Sequence, residues 1–346
     1  MLVGDAREIA RRWVMEGGGV GDLCGAYLAG STSWLPASAV LSGASDVDVM
    51  VVIPDGRRLD KRGKLVYRDV LLDVSPVPGD HLCSADRVLG DYHLAGGFRT
   101  PSSIILDPSG QLTALQAAVS GDYARRRWVQ KRCEHARRRV LEHLGSVKET
   151  APIHDQVTAW LFGAGVTTHV LLVAGLRNPT VRGRYAAVCE LLADCGRLEF
   201  HETLLELLGC ASMSRDRVEQ HLATLSDTFD AAASVSRTPL PFTSDITAAA
   251  RPIAIDGSRD FIERGLHREA VFWIAVTYSR CQKILDHDAP ADMKERFDPG
   301  YRQLLGDLGV TSSADIRQRR EEVERLLPRL WEEAEAIMAA NRAIED

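Results

Sequence analysis

The sequence predicts an α+β fold in which a domain with a small mixed β-sheet flanked by helices, residues 1–115, precedes an all-α helical bundle domain, residues 116–346. Three observations predict this division. Short apolar runs bounded by glycine, proline and aspartate are confined to the first part of the chain. After Leu112 long segments follow in which apolar residues recur three and four positions apart. The length of 346 residues is enough for two domains of ordinary size.

The elements of the first domain are marked by apolar runs and by the turn residues between them. Asp5 can cap a first helix through about Met15, which Gly17-Gly18-Gly19 would end. The run Val47–Ile53 is almost entirely apolar and rich in valine, which is typical of a strand covered on both faces. The further expected elements, in chain order, are a strand over 23–28, a short helix over 32–41, a strand over 65–74 and a short strand over 103–106.

The second domain has the period of amphipathic and buried helices, which indicates a helical bundle. The expected helices cover about 121–146, 153–176, 181–194, 214–233, 258–285 and 312–342. The segment 236–257 is the least regular and is expected to be an exposed loop.

Composition excludes several classes of protein. Hydrophobic residues make up 45% of the chain and charged residues 26%, so an ordered core is expected throughout. The formal net charge of −6 disfavours general attraction to nucleic acid or to an anionic membrane. No apolar run approaches the roughly 18 residues of a membrane span, and the N-terminus lacks a secretory signal. The seven cysteines are scattered without C-x-x-C spacing, which favours reduced thiols in the cytoplasm over disulfides or a zinc site.

Three aspartates in apolar strands indicate the chemistry. Side chains alternate along a strand, so Asp46 and Asp48 point the same way. At ~4 Å their repulsion costs about 4 kcal/mol at an effective dielectric near 20, and a divalent cation with oxygen ligands would offset it. Asp73 interrupts a second apolar strand in the same manner. If the two strands are neighbours, the three carboxylates converge on a site for Mg²⁺.

Such a cluster suits phosphoryl-type transfer. Two metal ions at ~3.5–4 Å can clamp the attacking and leaving oxygens of an in-line displacement, so two Mg²⁺ ions are expected. Gly30 at the end of a strand lets the backbone approach phosphate, and the Ser31 hydroxyl with the next amides can bind its oxygens. A nucleoside triphosphate is therefore the expected substrate.

The motif Ala29-Gly30-Ser31 followed by Asp46-Val47-Asp48-Val49 resembles the signature of the DNA polymerase β-like nucleotidyltransferase superfamily, and Asp73 matches its third acidic position. A compact catalytic domain followed by helices looks most like the bacterial aminoglycoside nucleotidyltransferases. The resemblance implies a nucleotidyltransferase fold for 1–115 and a substrate-binding role for the helical domain. It also implies that Asp46, Asp48 and Asp73 are catalytic metal ligands.

The expected activity is transfer of a nucleoside monophosphate, AMP in the simplest case, to a hydroxyl of a small acceptor such as an aminoglycoside-like compound. Pyrophosphate would be released. The nucleotide-binding candidates are Gly30, Ser31, Ser45 and Arg184. Two alternatives remain open. The acceptor is a protein or an RNA end, or the chain is a nucleotide-binding regulator without transfer activity.

Several residues of the helical part are candidates for a supporting role. Arg177, Arg182 and Arg184 cluster around a helix start, and arginine offers bidentate donors to phosphate. Related enzymes take a catalytic carboxylate from the helical domain, so Asp155 and Glu190 are possible bases beside Asp73.

One predicted helix is rich in arginine and lysine along a single face. This face indicates either an anion or nucleic-acid surface, or a solvated face paired with nearby acids, and we favour the second interpretation. Its basic residues are Arg125, Arg126, Arg127, Lys131, Arg132, Arg137, Arg138 and Arg139.

Overall fold

The computed structural model of the chain describes residues 1–18, 23–54 and 63–346. They form two compact units, one of residues 1–135 with 342–346 and the other of residues 136–341. The expected boundary between residues 115 and 116 falls inside a helix of the first unit, so the units divide later in the chain than the sequence predicts. Gly19, expected to help end the first helix, lies outside the described residues.

The first unit is built on a mixed five-stranded sheet, which confirms an α+β class with a small mixed sheet. The strand order is β3-β4-β2-β1-β5. The strands β2 and β4 are parallel, and the other pairs are antiparallel. The strands are β1 Gly25–Leu28, β2 Val47–Ile53, β3 Gly63–Tyr67, β4 Val70–Pro78 and β5 Ile104–Leu106.

One face of the sheet is packed against the first helix, α1, Val3–Met15. The valines of β2 at alternate positions, together with Leu72 and Val74 of β4, join Ala6, Ala10 and Trp13 of α1 in one core cluster. Since side chains alternate across a strand, the residues between these valines point to the other face. Asp48 is one of them and is only partly buried.

The prediction of one strand over 65–74 is wrong, because two strands joined by a tight turn occupy this segment. Arg68 and Asp69 have φ values of 47° and 64°, so both adopt the left-handed conformation that a two-residue hairpin turn requires. Arginine is not a typical residue of such turns, and the sequence therefore gives no strong turn signal here.

Helices complete both units. In the first unit α2 begins at Gly30, two residues earlier than predicted, and ends at Trp34. The remaining helices of its chain segment are α3 Ala85–Gly90, α4 Gln111–Asp122 and α5 Arg126–Gly145, the last of which continues into the second unit. The helices of the second unit are α6 Ile153–Ala174, α7 Arg184–Asp194, α8 Glu199–Leu208, α9 Arg215–Val235, α10 Gly257–Glu263, α11 His267–Asp288, α12 Ala291–Asp307 and α13 Ser313–Ala340.

Three expectations for the helical part are corrected. The predicted helix over 258–285 is two helices, because Gly265 has a φ of 83° and interrupts the helical hydrogen bonding between them. The helices α8 and α12 were not predicted. The segment 236–257, expected to be an exposed loop, ends in a π-helical turn, Pro252–Asp256, whose Ile253, Ala254 and Ile255 are buried.

The helix α6 forms the centre of the second unit and packs against α7, α8, α11 and α13. By length and composition alone it could cross a membrane, but 89% of its most apolar window is buried inside the protein. Such burial is typical of the core helix of a soluble protein.

The carboxylate of Asp288, the last residue of α11, holds the segment that follows α9 against the end of α11. It accepts hydrogen bonds from the Thr238 hydroxyl at 2.6 Å and from the backbone amides of Arg237 and Thr238 at 2.7 and 2.9 Å. These hydrogen bonds lower the pKa of Asp288 to about 2 from its ordinary 3.8, and the bond from the Thr238 hydroxyl has the largest effect. A carboxyl group whose pKa is lower in the folded state than in the unfolded state stabilises the fold at pH values above its ordinary pKa. This contribution disappears as the pH falls through the pKa of the folded state.

We therefore expect the wild type to be more stable than Asp288→Asn at neutral pH, with the difference shrinking between about pH 4 and pH 2. Urea unfolding midpoints of both proteins, measured over this pH range, test the expected decrease of the difference. The exposed Asp292 provides a control, Asp292→Asn. A stability difference for Asp288→Asn that stays constant down to pH 2 would contradict the assignment.

Candidate functional site

Two of the predicted acidic residues lie side by side on the sheet face opposite α1. In the parallel pair of β2 and β4, Asp48 is in register with Asp73, so both side chains point to the same face. Asp46 precedes β2 by one residue and lies two positions before Asp48. The structure therefore brings the three carboxylates together, as the sequence predicts from strand alternation and from the condition that the two strands are neighbours.

A lysine that the sequence analysis missed lies between two of these carboxylates. The Lys64 Nζ donates to Asp46 Oδ2 at 2.5 Å and to Asp73 Oδ2 at 2.7 Å. Lys64 reaches them because it is paired with Asp73 in the antiparallel register of β3 and β4. A single strand over 65–74 leaves Lys64 outside the sheet, so recognition of the hairpin was the signal needed to find it.

Carboxylates outnumber the lysine at this place among the residues that the structure describes. Asp46, Asp48 and Asp73 meet the one ammonium of Lys64 there. Water screens them weakly, since the side chains of Lys64, Asp73 and Asp46 are exposed by only 8%, 11% and 22%. Several carboxylate oxygens at one partly buried place are the ligand type that a hard divalent cation prefers.

Gly30 provides the space for the third carboxylate. A Cβ built on Gly30 would lie 1.7 Å from Asp48 Oδ2 and 2.6 Å from its Cγ, so no other residue type fits without displacing Asp48. The φ of Gly30 is 59°, which glycine adopts at no steric cost. The Ala29 amide donates to the Asp48 carbonyl at 3.0 Å and fixes this approach from the backbone side.

The short helix after Gly30 is held at both ends. The Ser33 hydroxyl donates to the Gly30 carbonyl at 2.8 Å. From α1, Arg7 donates to the carbonyls of Thr32 and Leu35, and burial lowers the pKa of its guanidinium. This anchoring fixes the position of the Gly30 backbone beside Asp48.

The two serines predicted to bind nucleotide lie in the same segment of the chain as the acids. Ser31 is half-buried in the first turn of α2. Ser45 is half-buried directly before Asp46, and its amide donates to the Ser42 carbonyl at 3.1 Å. Their roles toward phosphate remain predictions.

Arg184, the fourth nucleotide-binding candidate, belongs to the second unit and is 1% exposed. Its Nε donates to the Val181 carbonyl at 2.7 Å, and its guanidinium lies 4.2 Å from the centre of the Phe272 ring. The guanidinium is therefore enclosed by groups of its own unit. The role of Arg184 toward a nucleotide stays a prediction.

The other candidates of the helical part are engaged in local contacts. Arg177 pairs with Asp194 at 2.8 Å, and Arg182 donates to the Ile253 carbonyl at 3.4 Å. Asp155 accepts from Lys283 Nζ at 2.7 Å. Glu190 is exposed on α7. All belong to the second unit, and their roles as phosphate ligands or bases are untested.

The arginine-rich helix does not present the continuous basic face that its spacing indicates. Arg132, expected on that face, is 1% exposed and donates to the carbonyls of Leu89 and Tyr123 at 3.1 and 2.6 Å. Several of the others pair with acids: Arg125 and Arg127 with Asp122, Arg126 with Asp346, and Arg138 and Arg139 with Glu142. These contacts agree with the interpretation of a solvated, paired helix, and an RNA or protein acceptor stays an untested alternative.

Known families give no independent assignment of this site. No protein-family model matches the chain, and a search of curated proteins finds no match. The chemistry is therefore inferred from the geometry of these side chains.

Lys64 provides a direct test of cation binding at the carboxylates. In Lys64→Met the two carboxylates lose a largely buried counter-charge, and we expect the free energy of unfolding to fall by about 3 kcal/mol without divalent metal. Mg²⁺ at millimolar concentration should recover part of this loss and should stabilise the variant more than the wild type. Urea unfolding with Mg²⁺ or with a chelator measures both effects.

A matched control removes a neighbouring exposed cation. Arg68 pairs with Glu16 at 3.0 Å with both side chains about half exposed, so Arg68→Met should cost below about 1 kcal/mol and show no Mg²⁺ dependence. Equal Mg²⁺ responses of Lys64→Met and the wild type would show that Lys64 does not occupy the place of a metal cation.

Proposed function

We propose that the chain is a Mg²⁺-dependent nucleotidyltransferase of the DNA polymerase β-like type. It transfers a nucleoside monophosphate from a nucleoside triphosphate to a hydroxyl of a small acceptor and releases pyrophosphate. The observation that carries the proposal is the convergence of Asp46, Asp48 and Asp73 on one sheet face, with the Gly30 backbone against Asp48.

The residues present fit Mg²⁺. Its ligands in proteins are typically one or two carboxylates, with phosphate and water oxygens completing the coordination. Asp46 and Asp73 both contact the ammonium of Lys64, so a positive charge already lies between them. This supports the proposal that a metal cation binds at the same place. Asp46 and Asp48 would hold the metal, and Asp73 would complete the site.

The proposed reaction is an in-line displacement. The acceptor hydroxyl oxygen forms a bond to the α-phosphorus, the bond from that phosphorus to the bridging oxygen of pyrophosphate breaks, and a base takes the hydroxyl proton. Bound Mg²⁺ would supply charge neutralisation of the triphosphate and a lower pKa of the acceptor hydroxyl. Asp73 is the base of choice if it does not ligate metal, since the sheet places it beside the other two carboxylates.

The remaining residues of the site position the triphosphate. Gly30 lets phosphate approach the backbone, and the Ser31 and Ser45 hydroxyls are available as hydrogen-bond donors. When metal binds Asp46 and Asp73, Lys64 would be displaced and its ammonium would become a donor to phosphate. Mg²⁺-bound triphosphate is abundant in the cytoplasm, which is the compartment that we propose for this reaction.

The experiment is a pyrophosphate-release assay. Purified chain is incubated with Mg²⁺, each of the four common nucleoside triphosphates and a panel of hydroxylated acceptors that includes aminoglycosides. Release that requires both Mg²⁺ and an acceptor, with a nucleotidylated product of the expected mass, supports the proposal. Binding of triphosphate without release on any acceptor would replace it by the nucleotide-binding regulator.

A further inference from the structure

A second cluster of metal-ligating side chains lies in the helical unit. Cys189 on α7, His201 on α8 and Glu269 on α11 each offer a ligand atom, and these three atoms lie within 4.8 Å of one another. The three helices pack together, so residues distant in the sequence meet at one point.

Two of the three side chains are buried, and the third is partly accessible. His201 is 2% exposed and Glu269 is 5% exposed, and His201 Nε2 lies 2.9 Å from Glu269 Oε1. The other ring nitrogen of His201, Nδ1, is buried without a hydrogen-bond partner among the described residues. Cys189 is half-buried, so solvent can reach the cluster from its side. Zinc bound at Nε2 would leave the ring proton of the neutral imidazole on Nδ1.

We propose that Cys189, His201 and Glu269 bind one Zn²⁺ ion, with water as the fourth ligand on the accessible side. Thiolate, imidazole and carboxylate are the three ligand types that zinc accepts, and three protein ligands with water is a common tetrahedral arrangement. The thiolate distinguishes this site from the Mg²⁺ site of the first unit, since hard Mg²⁺ prefers oxygen ligands.

The distances require only small side-chain movements. With Zn–N and Zn–O bonds of about 2.0–2.2 Å and a Zn–S bond of about 2.3 Å, tetrahedral ligand atoms are separated by roughly 3.3–3.7 Å. The 2.9 Å between His201 and Glu269 would widen slightly, and the thiol separation, at most 4.8 Å, would shorten. Rotation of the half-buried Cys189 side chain can provide most of this adjustment.

The surrounding charges favour a cation. The carboxylates of Glu269, Glu190 and Glu202 act on Cys189 electrostatically, and the guanidinium of Arg268 is the opposing charge. Arg268 is already neutralised by its double hydrogen bond to Glu202 at 2.7 and 2.9 Å. Glu202 and Arg268 therefore offset each other, and the carboxylates of Glu269 and Glu190 remain as the charges that attract a cation to the thiol.

A second thiol nearby is excluded as a ligand. Cys210 is fully buried, and its Sγ donates to the Arg268 carbonyl at 3.6 Å. Burial, and after it the charge of the Glu269 carboxylate, also raises the pKa of the Cys210 thiol. The cluster thus has three protein ligands, one each from α7, α8 and α11, and a position open to water.

Zinc binding is tested on the full chain after chelator treatment and dialysis. We expect uptake of about one Zn²⁺ per chain and a rise in Tm on addition of zinc. Co²⁺ in place of zinc should give a thiolate-to-metal absorption band in the near ultraviolet. Cys189→Ser should lose the band and most of the Tm rise, and its half-buried position makes retention of the fold expected.

The matched control is Cys195→Ser, a half-buried cysteine six positions further along the chain, which should keep zinc uptake and the cobalt band. His201→Ala should behave as Cys189→Ser, provided that circular dichroism shows a folded chain. Asp48→Asn should leave zinc uptake unchanged, so failure of this proposal is distinguishable from failure of the proposed transferase activity. Absence of zinc uptake, or uptake that Cys189→Ser does not reduce, would overturn the zinc site.

Discussion

Asp48→Asn is expected to lower pyrophosphate release by at least about 10³-fold. Loss of one anionic metal ligand removes several kcal/mol of transition-state stabilisation, and each 1.36 kcal/mol corresponds to about tenfold in rate. Asparagine keeps the shape of the side chain beside Gly30, so the backbone geometry of β2 and α2 is preserved. The loss should appear in kcat at saturating Mg²⁺ and triphosphate.

The same substitution is expected to lower the response of stability to Mg²⁺. Asp48 is in register with Asp73 on neighbouring strands, so a cation bound between them relieves the repulsion of the two charges in the wild type. With saturating Mg²⁺ the wild type should gain more than the variant, because it binds the metal more tightly.

The control is Asp86→Asn, an exposed aspartate on α3 of the same unit. It should leave both pyrophosphate release and the Mg²⁺ response unchanged. Activity of Asp48→Asn within tenfold of the wild type would remove Asp48 from the metal ligands and with it the central part of the proposed mechanism.

Gly30→Ala is expected to abolish most activity although Gly30 carries no reactive group. The new Cβ would lie 1.7 Å from Asp48 Oδ2, a distance at which the carboxylate or α2 must move. A displacement of about 1 Å at a reacting centre costs roughly 10²-fold in rate. The φ of 59° adds roughly 1–2 kcal/mol of backbone strain for an alanine at this position.

Gly17→Ala separates the two effects. Gly17 also has a positive φ, 92°, but a Cβ there meets no atom of the described residues within 4 Å. This variant should show the strain in its unfolding free energy and keep the pyrophosphate-release rate. If Gly30→Ala loses only stability, with the activity of the folded fraction intact, then the close approach to Asp48 has no catalytic role.

The sequence predicted the part of the site that depends on local patterns. Alternation along a strand was enough to place Asp46 and Asp48 on one face, since the period of two does not depend on the rest of the fold. The position of Gly30 at the end of a strand was likewise visible, because positive φ and close contacts favour glycine wherever they occur. The predicted bounds of β2 are those observed.

The contacts between distant segments were decided by the tertiary structure. Lys64 reaches Asp46 and Asp73 only because the turn at Arg68 and Asp69 pairs β3 with β4. The sequence has no strong turn signal that would predict this turn. Arg132 can be buried because it donates to carbonyl groups of other segments, such as that of Leu89. Helical periodicity alone cannot indicate that these carbonyl groups lie beside α5.

The cluster of Cys189, His201 and Glu269 has the same origin. Its members come from three helices, and scattered cysteines without a ligand spacing gave no sign of it. The sequence by itself thus determined the fold class and the carboxylates of one strand, because periodicity and backbone preference are local. Which charges neutralise one another was decided by the tertiary structure, because strand register and helix packing join residues whose separation in the chain carries no pattern.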